Sequence, residues 1–221
     1  MLKERVEHVM ATLRRESEPF GRCPRLIAVT KYSPVEDILP LAELGVGDIG
    51  ENRVQSLRDK LPYLEGKFQI HLIGQLQSNK VKYIIKDVCL IHSLDHASLA
   101  QEIDRQAQKA GIRMPVLIQV NIAREPQKGG IGEEELFPCL REWAKLPGLK
   151  INGLMTTMPL GAAEDVALKH FTRMRQLLEQ CQQEAVAGTE MTELSMGMSQ
   201  DYGLAAHCGA TMVRVGSALF R

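Results

Sequence analysis

Apolar residues in this chain fall into short runs separated by longer amphipathic stretches. The runs predict eight buried strands, near 26–30, 47–49, 68–73, 88–91, 115–120, 149–154, 192–195 and 211–215. The stretches between them have apolar positions at helical spacing. They predict helices near 53–61, 78–86, 96–110, 133–146, 164–187 and 200–207, and another capped by Ser33, with Pro34 in its first turn, that ends at Gly45. Strands that alternate with helices indicate a parallel sheet, and eight of them predict a closed (β/α)8 TIM-type barrel.

The first residues predict an extra helix before the barrel. Leu2, Val6, Val9 and Leu13 recur at helical spacing with charged residues between them. Only six residues follow the last predicted strand, so we expect this N-terminal helix to cover the gap where the barrel closes. The expected organisation is a single domain over 1–221, and the alternative is an open doubly wound sheet, whose edge strands the pattern does not provide.

Composition narrows the classes of function. The 27 Lys and Arg residues balance 27 Asp and Glu residues, which gives no electrostatic reason to expect nucleic acid or an anionic membrane as a partner. The N-terminus carries acidic as well as basic residues, unlike a targeting signal, and we expect a cytoplasmic protein. Five scattered cysteines predict neither disulfides nor a zinc site. His92 and His96 straddle a predicted strand-to-helix junction and do not suggest a metal.

The first strand ends at a lysine, Lys31. In parallel barrels the loops that follow the strands carry the functional groups, so this amine is a candidate for chemistry. A single lysine at a strand end is more often part of a solvated loop. The functional interpretation therefore depends on whether other segments converge on Lys31.

The last two predicted strands lead into loops suited to a phosphate. Gly197 and Gly216 allow the backbone to approach a ligand closely, Ser199 is expected to cap the next helix, and Ser217 follows Gly216. Loops after the seventh and eighth strands often bind phosphate in barrel enzymes, although ordinary tight turns would show the same residues. Arg214 interrupts the eighth strand, and we expect its side chain to reach the barrel interior.

A lysine amine, a phosphate seat and a central cation together describe a pocket for an aldehyde phosphate. Pyridoxal 5′-phosphate (PLP), bound as a Schiff base on Lys31, fits this description. Arg214 could not protonate the pyridine nitrogen, so the cofactor ring would be a weaker electron sink than one facing a carboxylate. A phosphosugar enzyme with a Schiff-base lysine and no PLP is an alternative.

At these residues the chain resembles the pyridoxal phosphate homeostasis proteins, also called the YggS/PROSC family, which share the barrel of the alanine racemase N-terminal domain. The resemblance extends over nearly the whole chain and implies PLP as the cofactor. It implies that Lys31 forms the Schiff base and that Arg214 lies near the ring nitrogen or the phosphate. Further implied contacts are Ser199, Gly216 and Ser217 to the phosphate, and Asn52, His71 and Met155 along the pocket. The segments that carry it are 28–31, 50–52, 71–80, 153–156, 194–201 and 213–216.

The resemblance implies a protein that holds PLP for intracellular homeostasis without robust turnover. The implied partners are PLP and apo forms of PLP enzymes, and a monomer is expected. The alternative function is an amino-acid racemase, which needs an acid or base on each face of the cofactor. In the racemases with this barrel the second base is a tyrosine from another domain, for which this chain has no residues left. Tyr32 follows Lys31 directly, and strand alternation predicts that it points the other way.

Two further residues have open interpretations. Glu51 could act as a general base, but a carboxylate that makes structural hydrogen bonds is the favoured interpretation. Lys80 is the first alternative to Lys31 as the Schiff-base lysine.

Overall fold

A computed structural model describes residues 1–125, 127–159 and 161–221. Eight parallel strands pair in sequence order and close when the first pairs with the last, which confirms the predicted barrel. Their boundaries lie within a few residues of the predicted runs. They are β1 (Arg25–Val29), β2 (Asp48–Glu51), β3 (Gln69–Leu72), β4 (Leu90–Leu94), β5 (Met114–Gln119), β6 (Leu149–Met155), β7 (Thr189–Ser195) and β8 (Met212–Val215).

Helices occupy the connections between the strands. They are α1 (Leu2–Glu16), α2 (Val35–Ile38), α3 (Pro40–Glu43), α4 (Val54–Leu64), α5 (Ala97–Ala110), α6 (Leu136–Trp143), α7 (Glu164–Glu184), α8 (Tyr202–His207) and α9 (Ser217–Phe220), with 3₁₀ turns at Glu18–Phe20, Ser78–Tyr83 and Glu133–Glu135. None of the helices in the described ranges is long and apolar enough to cross a membrane.

Two helix predictions are wrong in detail. The helix expected after Ser33 is divided into α2 and α3, because Pro40 has no N–H for a helical hydrogen bond, and the Ser33 side chain makes no cap. The segment expected as a helix over 78–86 forms a 3₁₀ turn. In that geometry residues three apart face the same way, which buries Val81 and Ile84 together.

The N-terminal helix α1 covers the place where the barrel closes. Its buried face consists of Val6, Val9 and Leu13, and the helix contacts α8 and α9. The Nη1 of Arg5 donates a hydrogen bond to the carbonyl of Leu219 at 3.2 Å. The expected role of the extra helix is therefore confirmed.

A buried carboxylate ties the ends of β1 and β2 together beside Lys31. Glu51 is fully buried and accepts hydrogen bonds from Thr30 Oγ1 at 2.6 Å and Ser56 Oγ at 3.0 Å. The Nζ of Lys60 lies 2.7 Å from the same carboxylate and also donates to the Thr30 carbonyl at 2.7 Å. Glu51 therefore acts as the favoured structural hydrogen-bonding group.

We predict that Lys60→Met destabilises the fold strongly. The change leaves the Glu51 charge buried without a counterion, which costs about 3–5 kcal/mol of unfolding free energy. Urea denaturation monitored by circular dichroism measures this loss. The matched control is Lys67→Met, at an exposed lysine bonded only to a backbone carbonyl, with an expected change within about 0.5 kcal/mol. Equal effects of the two substitutions would contradict the assigned role of the pair.

Candidate cofactor site

A cavity of about 370 Å³ opens at the end of the barrel where the strands finish. Residues that follow β1, β2, β3, β6, β7 and β8 form its walls. Its volume lies within the range of small-molecule sites. Six of the predicted site residues line it: Lys31, Asn52, Ser199, Arg214, Gly216 and Ser217.

Lys31 lies on one wall, in a turn that follows the end of β1. Among the lining residues that the structure describes, it is the sole lysine, whereas Lys80 lines a neighbouring cleft with Arg53 and Arg58. The prediction for Tyr32 is wrong, because its side chain lines the same cavity and the Lys31 amine lies 4.9 Å from its ring centroid. The strand has ended at Val29, so strand alternation no longer sets the direction of these two side chains.

The wall formed by the β7 and β8 loops presents main-chain donors. The amides of Gly216 and Ala218 donate to the hydroxyl oxygen of Ser199 at 3.0 and 3.3 Å. Two nearby main-chain amides that converge on one oxygen form a concavity suited to an anion. The Cβ of any larger residue at position 216 would lie 3.3 Å from Val29 Cβ, so glycine keeps β8 close to β1.

Ser199 does not cap the following helix, contrary to the prediction. The helix α8 begins at Tyr202, and the carboxylate of Asp201 accepts a hydrogen bond from the Met198 amide at 2.6 Å. Asp201 thus stabilises the turn after β7 and leaves Ser199 to face β8. Burial raises the pKa of the Asp201 carboxyl, an effect opposed by its hydrogen bond to the Met198 amide and by the nearby Arg214 charge.

Arg214 turns into the barrel interior, as predicted. Its Nη2 donates to the Thr156 carbonyl at 2.7 Å, and its Nη1 donates to the hydroxyl of Ser195. Burial lowers the pKa of Arg214 to about 10, while the charge of Asp201 acts in the opposite direction. Because this value is well above neutrality, the guanidinium presents a fixed positive charge to the cavity.

The remaining predicted residues occupy three different positions. Asn52 lines the cavity, and its Oδ1 is buried with no hydrogen-bond partner in the described ranges, which leaves an acceptor available to a ligand. Met155 lines an adjoining cavity of about 370 Å³ that shares Ile73, Thr157 and Met198 with the first. His71 lies deeper, is nearly inaccessible to solvent, and lines neither cavity.

Ser195 and Thr156, which hold Arg214, were missed by the sequence reasoning. The available signal is a small polar residue at the end of β7 or just beyond the end of β6. Polar residues at such positions face either solvent or the interior, and hydropathy alone does not distinguish the two.

His92 and His96 do not form a metal site. His92 lies inside the barrel and bonds to Ser195 Oγ, whereas the exposed His96 lies 2.6 Å from Asp95 Oδ1. Over the part of the chain that the structure describes, no group of three or more His, Cys, Asp or Glu side chains is arranged to hold a metal.

Comparisons with known proteins identify relatives along the whole chain. The family model for the alanine racemase N-terminal domain matches residues 3–221. A pyridoxal phosphate homeostasis protein of Aquifex aeolicus (strain VF5) is 40% identical over 222 residues, covering 98% of this chain and 96% of the relative. PipY of Synechococcus elongatus PCC7942, solved without PLP, is 34% identical with a TM-score of 0.91 and full coverage of both chains.

Two other solved structures extend the comparison. The PLP-bound structure of PipY gives a TM-score of 0.88 at 32% identity, again over the full length of both chains. Alanine racemase of Corynebacterium glutamicum is 16% identical with a TM-score of 0.69, covering 98% of this chain and 60% of that one, a likeness that shows the shared barrel alone. The chain belongs to the alanine racemase N-terminal domain family and, within it, to the pyridoxal phosphate homeostasis proteins.

Proposed function

We propose that this protein binds PLP as a Schiff base on Lys31 and acts in intracellular PLP homeostasis, without robust turnover of its own. One observation carries the proposal: a single cavity combines one lysine amine with main-chain amides that already hold an oxygen. An aldehyde phosphate needs both features. The names of the relatives and the PLP-bound structure of PipY support the same ligand.

The other lining residues have complementary roles. Ser199, Gly216 and Ser217 would hold the phosphate, Asn52 would accept a hydrogen bond, and Met155 would contact the cofactor from the adjoining cavity. When bound, PLP supplies an electron sink, which is weak if its ring nitrogen faces an arginine. Arg214 provides a charge that does not depart as a proton at neutral pH. His71 would act indirectly, since it lies below the cavity.

The geometry supports holding PLP over racemising an amino acid. Racemisation by two bases needs proton-transfer groups on opposite faces of the cofactor. Tyr32 is adjacent to Lys31, and its ring centroid lies 4.9 Å from the Lys31 amine, so the two groups occupy the same side of the cavity. The Asp201 carboxylate is engaged by the Met198 amide. We further propose a cytoplasmic monomer whose open cavity serves apo forms of PLP enzymes.

We predict that Lys31→Ala abolishes the Schiff base but retains phosphate-held PLP. The affinity for PLP should fall by about tenfold or more, because the covalent link is lost while the amides remain. Absorbance before and after borohydride reduction, with peptide mapping, measures the linkage. Lys80→Ala is the matched control and should keep both the colour and the reduced peptide at residue 31. Retention of the Schiff-base absorbance in Lys31→Ala would assign the linkage to another lysine.

We predict that Ser199→Ala weakens PLP binding more than pyridoxal binding. Loss of the hydroxyl removes a group that orders the Gly216 and Ala218 amides, which costs about 1 kcal/mol, or roughly five- to tenfold, for the phosphate-bearing ligand. Titration with each vitamer measures the ratio. Asn52→Ala is the control, with an equal effect on both ligands. An unchanged ratio in Ser199→Ala would place the phosphate elsewhere.

We predict negligible proton exchange by the loaded protein. Incubation with L-alanine in deuterated water should give neither α-deuterated alanine nor D-alanine at ordinary enzymatic rates, about 1 s⁻¹ or more. Mass spectrometry and chiral chromatography measure the two products. Exchange at such a rate would replace the proposed function with the racemase alternative.

A further inference from the structure

A continuous set of hydrogen bonds crosses the barrel interior below the cavity. The Oδ1 of Asp48 lies 2.8 Å from His71 Nε2, and His71 Nδ1 lies 3.0 Å from His92 Nε2. The Nδ1 of His92 lies 2.9 Å from Ser195 Oγ, which also accepts from Arg214 Nη1. We call these five residues the interior network. They come from β2, β3, β4, β7 and β8.

The interior network connects the two ends of the barrel. His92 and Ser195 are fully buried, and His71 is 1% exposed. Asp48 is the first residue of β2, at the end of the barrel opposite the cavity, and its side chain is 21% exposed. Arg214 lines the cavity itself. A carboxylate near solvent at one end is therefore connected to the cation that faces the ligand at the other.

The chemistry of the two terminal groups fixes the direction of the hydrogen bond at each end of the interior network. An ionised carboxylate only accepts and a guanidinium only donates. His71 therefore donates from Nε2 to Asp48, and a neutral His71 accepts at Nδ1 from His92 Nε2. The Nδ1 of His92 then accepts the Ser195 hydroxyl proton, and the Ser195 oxygen accepts from Arg214. In this arrangement both imidazoles are neutral, and each imidazole nitrogen and the Ser195 hydroxyl proton has a partner.

A cationic His71 would reverse the inner hydrogen bonds and leave a buried donor unpaired. If His71 were a cation, it would donate from both nitrogens, and His92 would have to give its Nδ1 proton to Ser195. The Ser195 hydroxyl proton would then have no acceptor within the interior network, which is costly for a fully buried group. Burial lowers the pKa of His92 well below its ordinary value. His92 is therefore neutral, and the hydrogen-bond geometry assigns a neutral state to His71 as well.

We propose that Asp48, His71, His92 and Ser195 are positioning residues for Arg214, and that they fix the orientation of its guanidinium at the ligand cavity. Arg214 has one other interior partner in the described ranges, the Thr156 carbonyl, so Ser195 decides where Nη1 points. His92 accepts the Ser195 proton, His71 orients His92, and Asp48 orients His71. Hydrogen bonds joined in this way polarise one another, so removal of the Asp48 carboxylate weakens the hydrogen bond between Ser195 and Arg214. The proposal rests on the proposed function only for the identity of the ligand.

The first test needs no cofactor. Nitrogen-15 NMR of the full-length protein, labelled at histidine, reports the protonation of each ring nitrogen. We expect His71 and His92 to be neutral at pH 7, with the proton on Nε2 in both. In Asp48→Asn the ring resonances of His92 should also shift, although the two residues do not touch. A cationic His71, a proton on Nδ1 of either ring, or an unchanged His92 in Asp48→Asn would overturn the proposal, whether or not PLP binds.

The second test measures coupling across the barrel in the PLP-loaded protein. Asp48→Asn should raise the dissociation constant of PLP about three- to tenfold and shift its absorbance maximum, with the midpoint of thermal unfolding recorded alongside. In a Ser195→Ala background the same substitution should have no further effect, because the connection is already broken. Glu193→Gln removes a carboxylate that pairs with Arg22 and Arg25 and lies outside the interior network, so it is the matched control. Multiplicative effects in the double variant, or an Asp48→Asn effect no larger than the control, would overturn the proposal.

Discussion

The pairing of the first strand with the last is the constraint on which the site depends. In this register Ile27 lies opposite Arg214, and Ala28 lies opposite Val215. The loop that carries Lys31 therefore meets the loop of Gly216 and Ser217, although nearly the whole chain separates them. A shift by one residue would exchange the inward and outward side chains of β8 and remove Arg214 from the interior. The contacts of α1 with α8 and α9 stabilise this closure from outside.

A barrel interior is usually filled with apolar side chains, whereas this interior has an apolar part and a polar part. Ile27, Leu90, Leu117, Met155 and Met212 form an apolar cluster inside the barrel, and the interior network passes beside it. Buried polar groups are costly unless each is paired, and then they specify one arrangement. The polar part of the interior is thus less tolerant of substitution than the apolar part. Because the polar part lies directly below the cavity, substitutions in it are expected to alter ligand binding.

The sequence predicted the barrel and most of the rim, because strands followed by Lys, Gly or Ser are recognisable at their ends. It did not predict the interior network. The sequence predicts that the fourth strand stops before His92, yet β4 continues to Leu94, because the buried polar side chains of His92 and Ser93 find hydrogen-bond partners in Ser195 and the Gly74 carbonyl. A hydropathy pattern assigns such polar residues to a loop. The direction predicted for Tyr32 and the helix cap predicted for Ser199 are wrong for a different reason, because no periodicity governs side chains in the turns beyond a strand end.

Two sets of hydrogen bonds stabilise the rim of the cavity, and only one of them is exposed to a ligand. The Glu51–Lys60 pair lies below the surface and ties β1 to β2 whether or not the cavity is filled. The bonds from Gly216 and Ala218 to Ser199 lie on the cavity wall, and they order the loop that would contact a phosphate. Because the loop is ordered before a ligand arrives, binding costs less conformational entropy. The rim therefore combines an ion pair that stabilises the barrel independently of the ligand with a preformed wall that would contact the ligand directly.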